Sequence, residues 1–111
     1  MAIEMIENRI DLLIDDIREI EGIDYTCRTV DKALAILKDR PITHLWLDND
    51  LGDDQPMEGI DILNWARDNN LVPPNVLIVS SNPVAVRRME DVLRFDLNYN
   101  KEGNWWKKIT T

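Results

Sequence analysis

Short apolar runs alternate along the chain with segments whose apolar residues recur every three or four positions. The runs IDLLI (10–14), YTCRTV (25–30), THLWL (43–47), NVLIV (75–79) and FDLNY (95–99) predict five strands. Between the last four, the spacing predicts two or three helices. VDKALAILKD (30–39) brings Val30, Leu34 and Leu37 onto one face behind a Thr29 N-cap. GIDILNWARDNN (59–70) carries Ile60, Leu63 and Ala66 on a stripe opposite Asp61 and Asp68. PVAVRRMEDVLRF (83–95) aligns Ala85, Met89 and Val92, and opens with Pro83 at a first-turn position behind Ser81 or Asn82. Strands separated by helix-length segments imply right-handed crossovers and a mostly parallel sheet.

The beginning of the chain supports two readings. Ile3, Ile6, Ile10, Leu13, Ile17 and Ile20 step by three and four residues, as on an amphipathic helix. The run RIDLLIDD is instead an apolar stretch ended by an acid pair, with Gly22 closing the segment soon afterwards. Periodicity alone favours the helix.

The 111 residues are enough for one domain, residues 1–111, built around a single core. Acidic residues outnumber basic ones 21 to 13 and leave a net charge of -8, which argues against a binder of phosphate backbones. That balance suits a cation or a basic protein partner, while many of the carboxylates need only be solvated surface. No run approaches the ~20 apolar residues needed to cross a bilayer. MAIEMIENR also lacks the basic start and apolar centre of a secretory signal, so a cytoplasmic protein without membrane contact is expected. Cys27 has no cysteine with which to pair and is expected to be a small buried residue.

In an open parallel sheet, ligands bind where the strand C-termini deliver loops into a crevice. Three predicted strands end in residues suited to such a site: Asp15 and Asp16, then Asp48, then Ser80 and Ser81. Taken singly, aspartates after strands form turns, and SSNP resembles a helix cap. Their joint placement at successive strand ends says more. Two carboxylates ~4 Å apart repel by ~4 kcal/mol at an effective dielectric near 20, a cost that a bound cation or protonation relieves. Magnesium fits, because it accepts one or two carboxylates and leaves positions for phosphate oxygens. The serine hydroxyls could then donate to a phosphoryl oxygen, with Asp48 as nucleophile. His44 and Trp46 fall on the same strand face as Asp48 by alternation, and His44 is expected to be a satisfied strand histidine. Trp105 and Trp106 are expected to cap the core of a small domain.

The combined pattern resembles a response-regulator receiver domain. IDLLIDD resembles its first strand and acid pair, HLWLDNDLGDDQPMEGIDILNWARD its third strand, acceptor aspartate and following helix, and NVLIVSS its fourth strand with a hydroxyl residue. More closely still, it is similar to the cyclic-phosphate-processing receiver domains of phages and bacteria. Their acid pair followed by arginine, Asp-x-Asp-Leu-Gly block and Ser-x-Asn-Pro turn match DDIR (15–18), DNDLG (48–52) and SSNP (80–83). The resemblance extends from about Arg9 to Leu93. It implies a flavodoxin-like receiver: a three-layer, doubly wound α/β fold with a five-stranded parallel sheet. It also favours a strand ending at Asp15 and Asp16.

By the same resemblance, Asp15, Asp16 and Asp48 hold a divalent ion, Asp48 is the acceptor position and Ser80 the family hydroxyl. Arg18 and Asp50 belong to the narrower family, and Arg18 is expected to contact phosphate. Lys101 is a loose match to the lysine that receivers carry at the end of the last strand. Two departures stand out. Only IREIEGID separates the first two strands, so the first helix is reduced, and NKEGNWWKKITT is too short for a full last helix. LWLDNDLG also echoes the Asp-x-Asp of haloacid-dehalogenase-like phosphatases, whose chains are longer. In that chemistry Asp48 would be the nucleophile and Asp50 the acid/base. The expected function is binding of a divalent metal, magnesium for preference, and of a phosphate-containing ligand, with hydrolysis of a phosphoester or cyclic phosphate. The alternatives are a non-catalytic protein interaction module and a phosphorylated switch.

Overall fold

The computed structural model describes residues 8–109. In chain order they form β1 (Asp11–Ile14), β2 (Tyr25–Cys27), α1 (Val30–Asp39), β3 (His44–Leu47), α2 (Gly59–Asp68), β4 (Asn75–Ile78), α3 (Pro83–Asp91), β5 (Asn100–Glu102) and β6 (Trp105–Lys107). A π-helical segment, Val92–Asp96, continues α3. The sheet order is β2-β1-β3-β4-β6-β5. The first four strands are parallel, and β6 runs antiparallel to both β4 and β5.

The strand reading of the N-terminal segment is the one realised. β1 lies between β2 and β3, and Leu12, Leu13 and Ile14 are fully buried, which explains an apolar run without alternation. The rival helical stripe is not a buried face: Ile17 is 82% exposed, and Ile3 and Ile6 lie outside the described residues.

All three helices lie on one face of the sheet. The crossovers from β2 to β3 and from β3 to β4 move across the sheet in the same direction, so right-handed connections put α1 and α2 on the same side. Val30 and Leu37 of α1, Ile60 and Leu63 of α2, and Met89 and Leu93 from the third helical segment share one core with Leu12, Ile14, Leu45, Leu47 and Trp106. The β1-to-β2 connection runs the opposite way and would place its helix on the other face. Among the described residues it contains none: residues 15–24 turn back through Gly22, whose φ is +83°. The expected third layer is therefore missing from the described residues, and the reduction of the first and last helices is complete there. In its place, Trp105 sits edge-on to His44 (5.1 Å) and Trp46 (5.2 Å), and the Arg9 guanidinium lies 5.8 Å from the Trp105 ring.

The C-terminal strand requires a correction. FDLNY alternates in period two, but Phe95 and Asp96 belong to the π-helical segment that prolongs α3, and Phe95 is 68% exposed. The apolar stripe of Met89, Val92 and Leu93 keeps the chain helical past Asp91. Asn98, at φ 58°, then reverses the chain. β5 runs in the direction expected of a fifth parallel strand, but β6 inserts between it and β4. The sheet is thus six-stranded and mixed. Among the described residues no helix is long and apolar enough to cross a membrane.

Local sequence explains the helix starts. Asn82 caps α3 by accepting the Ala85 N–H (3.2 Å), and Glu58 and Asp61 form a capping box on α2. Thr29 occupies the N-cap position of α1 without a side-chain cap bond. The first-turn N–H of Val30 goes instead to Gln55 Oε1 (2.8 Å), which ties the β3–α2 loop to α1.

Candidate functional site

The parallel register of β1 and β3 pairs Ile14 with Leu47, so the next residues, Asp15 and Asp48, leave the sheet side by side. The Asp48 N–H donates to the Ile14 carbonyl (3.0 Å), which fixes that exit. Asp16 completes a group in which one carboxylate oxygen from each residue lies within 4.8 Å of the others.

Asp15 is fully buried and folds its own loop. Its Oδ1 accepts the N–H groups of Ile17 (3.1 Å) and Arg18 (3.0 Å), and its Oδ2 accepts from Arg18 Nη1 (2.6 Å). Arg28, just past β2, clamps the same turn from below by donating through Nη1 to the carbonyls of Asp15 (3.2 Å) and Arg18 (2.6 Å). Burial works against the Asp15 charge, but the Arg18 and Ile17 N–H groups and the Arg18 guanidinium outweigh it and hold the carboxyl below its usual range. Asp48 is pushed the other way. Burial and the neighbouring charge of Asp15 raise it, against the N–H groups of Asn49 and Asp50 and the more distant Arg18, whose Nη1 is 4.0 Å from Asp48 Oδ2. The two adjacent carboxylates are thus driven apart in affinity for a proton.

The loop after Asp48 is fastened to α2 by two residues that sequence reasoning missed. Asn49 is buried. Its Oδ1 accepts the Ile60 N–H (3.1 Å), its Nδ2 donates to Glu58 Oε2 (3.2 Å), and its carbonyl accepts the Gly59 N–H (2.9 Å). Gly59 permits the approach, since a Cβ there would lie 2.0 Å from the Asp48 carbonyl oxygen. The available signal was a glycine opening a helix, where its poor propensity calls for a packing reason. Arg28 had no such signal, because its role depends on the long-range return of β2 beside β1.

An open cleft of about 310 Å³ is lined by Asp15, Asp16, Ile17, Arg18, Asp48, Asp50 and Ser81. Six of the predicted site residues therefore meet here: Asp15, Asp16, Arg18, Asp48, Asp50 and Ser81. Ser80 does not line the cleft, and its Oγ accepts the Asn82 N–H (3.1 Å). Lys101 lies elsewhere. Displaced to β5 by the inserted β6, it pairs with Glu90 (3.3 Å) and lies 5.8 Å from the Trp106 ring. Trp46 is also turned away from Asp48, donating its Nε1–H to Asp11 Oδ2 (2.8 Å), and Asp11 pairs with His44 at the opposite end of the strands. His44 is bonded to Thr43 Oγ1 through Nδ1 (2.9 Å) and has no place in the cleft.

Four parallel strands ending in a crowded acid pair, an aspartate on the central strand and a hydroxyl on the next define a receiver-like α/β protein. The chain belongs to the cyclic-phosphate processing receiver domain family, whose sequence profile matches residues 10–95. Among solved structures, it is similar to a mutant of the MaeR response regulator bound to sulfate. That likeness has a TM-score of 0.54 at 21% identity and covers 84% of this chain and 80% of the other, a likeness of fold. No curated protein matches the chain.

Proposed function

We propose that the cleft at the strand C-termini binds a divalent metal and a phosphate-containing ligand, and hydrolyses a phosphoester or cyclic phosphate. The observation that carries this reading is the convergence of Asp15, Asp16 and Asp48 within 4.8 Å, two of them buried, beside Arg18 and Ser81. The donor set is all carboxylate oxygen, which suits magnesium, and like charges this close favour a cation between them. Bound there, the ion would neutralise the carboxylates and polarise a phosphoryl oxygen.

The chain's own groups supply the rest. Arg18 offers a guanidinium to the phosphate, and Ser81 offers a hydroxyl donor. Asp48 is the nucleophile toward phosphorus. Asp50, on the cleft wall, gives a proton to the oxygen that leaves, and then takes one from the water that attacks the aspartyl phosphate, breaks its bond to Asp48 and releases the phosphate product. A phosphorylated switch has less support, since Lys101, on the β5–β6 hairpin, is engaged with Glu90 of α3.

The test is a panel of cyclic and linear nucleoside phosphates incubated with magnesium and followed by phosphorus NMR. Turnover should disappear in D48N and fall sharply in D50N, with the fold intact. A panel left untouched by the unsubstituted protein, or D48N that remains fully active, refutes the catalytic reading. Intact mass after treatment with acetyl phosphate and magnesium separates the switch, which would leave a stable adduct on Asp48.

A further inference from the structure

Arg18 reaches the acidic cluster as a cation already in place. Its Nη1 is 2.6 Å from Asp15 Oδ2 and 4.0 Å from Asp48 Oδ2. No other basic side chain makes an ion pair with Asp15, Asp16 or Asp48 among the described residues. Its backbone is pinned independently of that side chain: the Arg18 N–H donates to Asp15 Oδ1 (3.0 Å), and its carbonyl accepts from Arg28 Nη1 (2.6 Å). The guanidinium can therefore leave while the turn that presents Asp15 stays formed. The side chain is 41% exposed, with solvent to move into, whereas Asp15 and Asp48 are fixed by the strand ends.

We infer that Arg18 is a resident counter-ion that a divalent cation displaces from Asp15, and that the displaced guanidinium then becomes a ligand for the phosphate. The inference rests on the metal reading above and adds a coupling to it. A guanidinium and a divalent ion cannot both sit against Asp15 Oδ2 without strong repulsion, so Arg18 opposes metal entry when no anion is present. Once an anion is bound, it gives the displaced guanidinium a new partner and the opposition is lifted. Metal and phosphate then bind with positive linkage, each tightening the other by the same factor. The arrangement offsets part of the negative charge of Asp15 and Asp48 in the empty protein and makes productive metal binding depend on the ligand.

Calorimetric titration of magnesium into the full chain and into R18A, with and without inorganic phosphate, tests this. Without phosphate, R18A should bind magnesium about five- to tenfold more tightly than the unsubstituted protein, the scale of a partly exposed ion pair. Phosphate should tighten magnesium binding by a larger factor in the unsubstituted protein than in R18A, where only the direct contact between ion and phosphate remains, and equal factors overturn the coupling through Arg18. Equal or weaker binding by R18A in the absence of phosphate overturns the displacement while leaving the metal site standing. Absence of magnesium binding in both proteins overturns the site and the displacement together. A measurement on the unsubstituted chain guards against a misfolded variant. The Arg18 Nη protons bonded to Asp15 should lose their protection from exchange when magnesium is added, and unaltered protection overturns the inference.

Discussion

Gly59 packs so closely against Asp48 that a Cβ at position 59 would lie 2.0 Å from the Asp48 carbonyl oxygen and 2.8 Å from the Asn49 Cα. The neighbouring atoms are backbone, so no side-chain rotation relieves the clash. G59A must push the start of α2 away from β3, and with it the loop carrying Asp48. We expect a loss of about 2–3 kcal/mol in urea unfolding, the range for overpacking a fixed site. Magnesium affinity should fall in parallel, and unaltered stability would show that the approach is looser than described.

Asn49 makes the complementary hold. N49A leaves the Ile60 N–H without its acceptor in a buried place and removes one of the bonds to the Glu58 side chain. The expected cost is about 1–3 kcal/mol, that of an unmet buried polar group. Hydrogen exchange should localise the change to the first turn of α2, with the strands still protected.

These two residues mark the limit of what the sequence carried. Hydrophobic period resolved α1 through α3 and the strands β2 to β4, whereas for β1 it favoured a helix and only the family resemblance pointed to a strand. The acid pair and Asp48 could be placed together because parallel strand ends must converge. Failure came where the result depended on long-range geometry. The period-two pattern of FDLNY competed with a helical stripe that simply ran on, and nothing local to Lys101 announced that β6 would insert beside β4. The same holds for Trp46, whose sequence distance from Asp48 is short although its ring turns the other way to reach Asp11.

Trp105 stands in for a helix on the second face of the sheet, edge-on to His44 and Trp46 and under Arg9. W105A removes that cover from β3 and leaves the Arg9 guanidinium without its ring. It should cost about 2 kcal/mol, less than a fully buried aromatic because the residue is only half-buried. The near-ultraviolet circular dichroism of the tryptophans should weaken while the far-ultraviolet spectrum persists.

His44 is the chain's single histidine, which makes its titration separable. Burial and the nearby Arg9 lower its pKa from the usual 6.5, with Asp11 opposing. The unfolded chain then binds more protons than the folded one just below pH 6.5, so its contribution is complete above that value and declines as pH falls through the folded one. Denaturation midpoints followed from pH 7.5 to 5 should drop accordingly. H44Q should flatten the drop; an equal slope in H44Q would assign it to other groups.

Asp48 titrates with the opposite sign. Its pKa is raised above 3.8 by burial and by the Asp15 charge, so its ionised form opposes folding. At neutral pH the metal-free D48N variant should be more stable than the unsubstituted protein. That advantage should shrink as pH falls through the raised folded value and vanish below about 3.8, where Asp48 is protonated in both states. Adding magnesium should reverse the order at pH 7, because only the unsubstituted protein keeps the third carboxylate and gains stability from the bound ion. Thermal unfolding with and without magnesium reads both effects on the same pair of proteins. A less stable metal-free D48N would mean that Asp48 serves the fold, whereas the crossing of the two curves on adding metal marks a site kept for binding at the expense of stability.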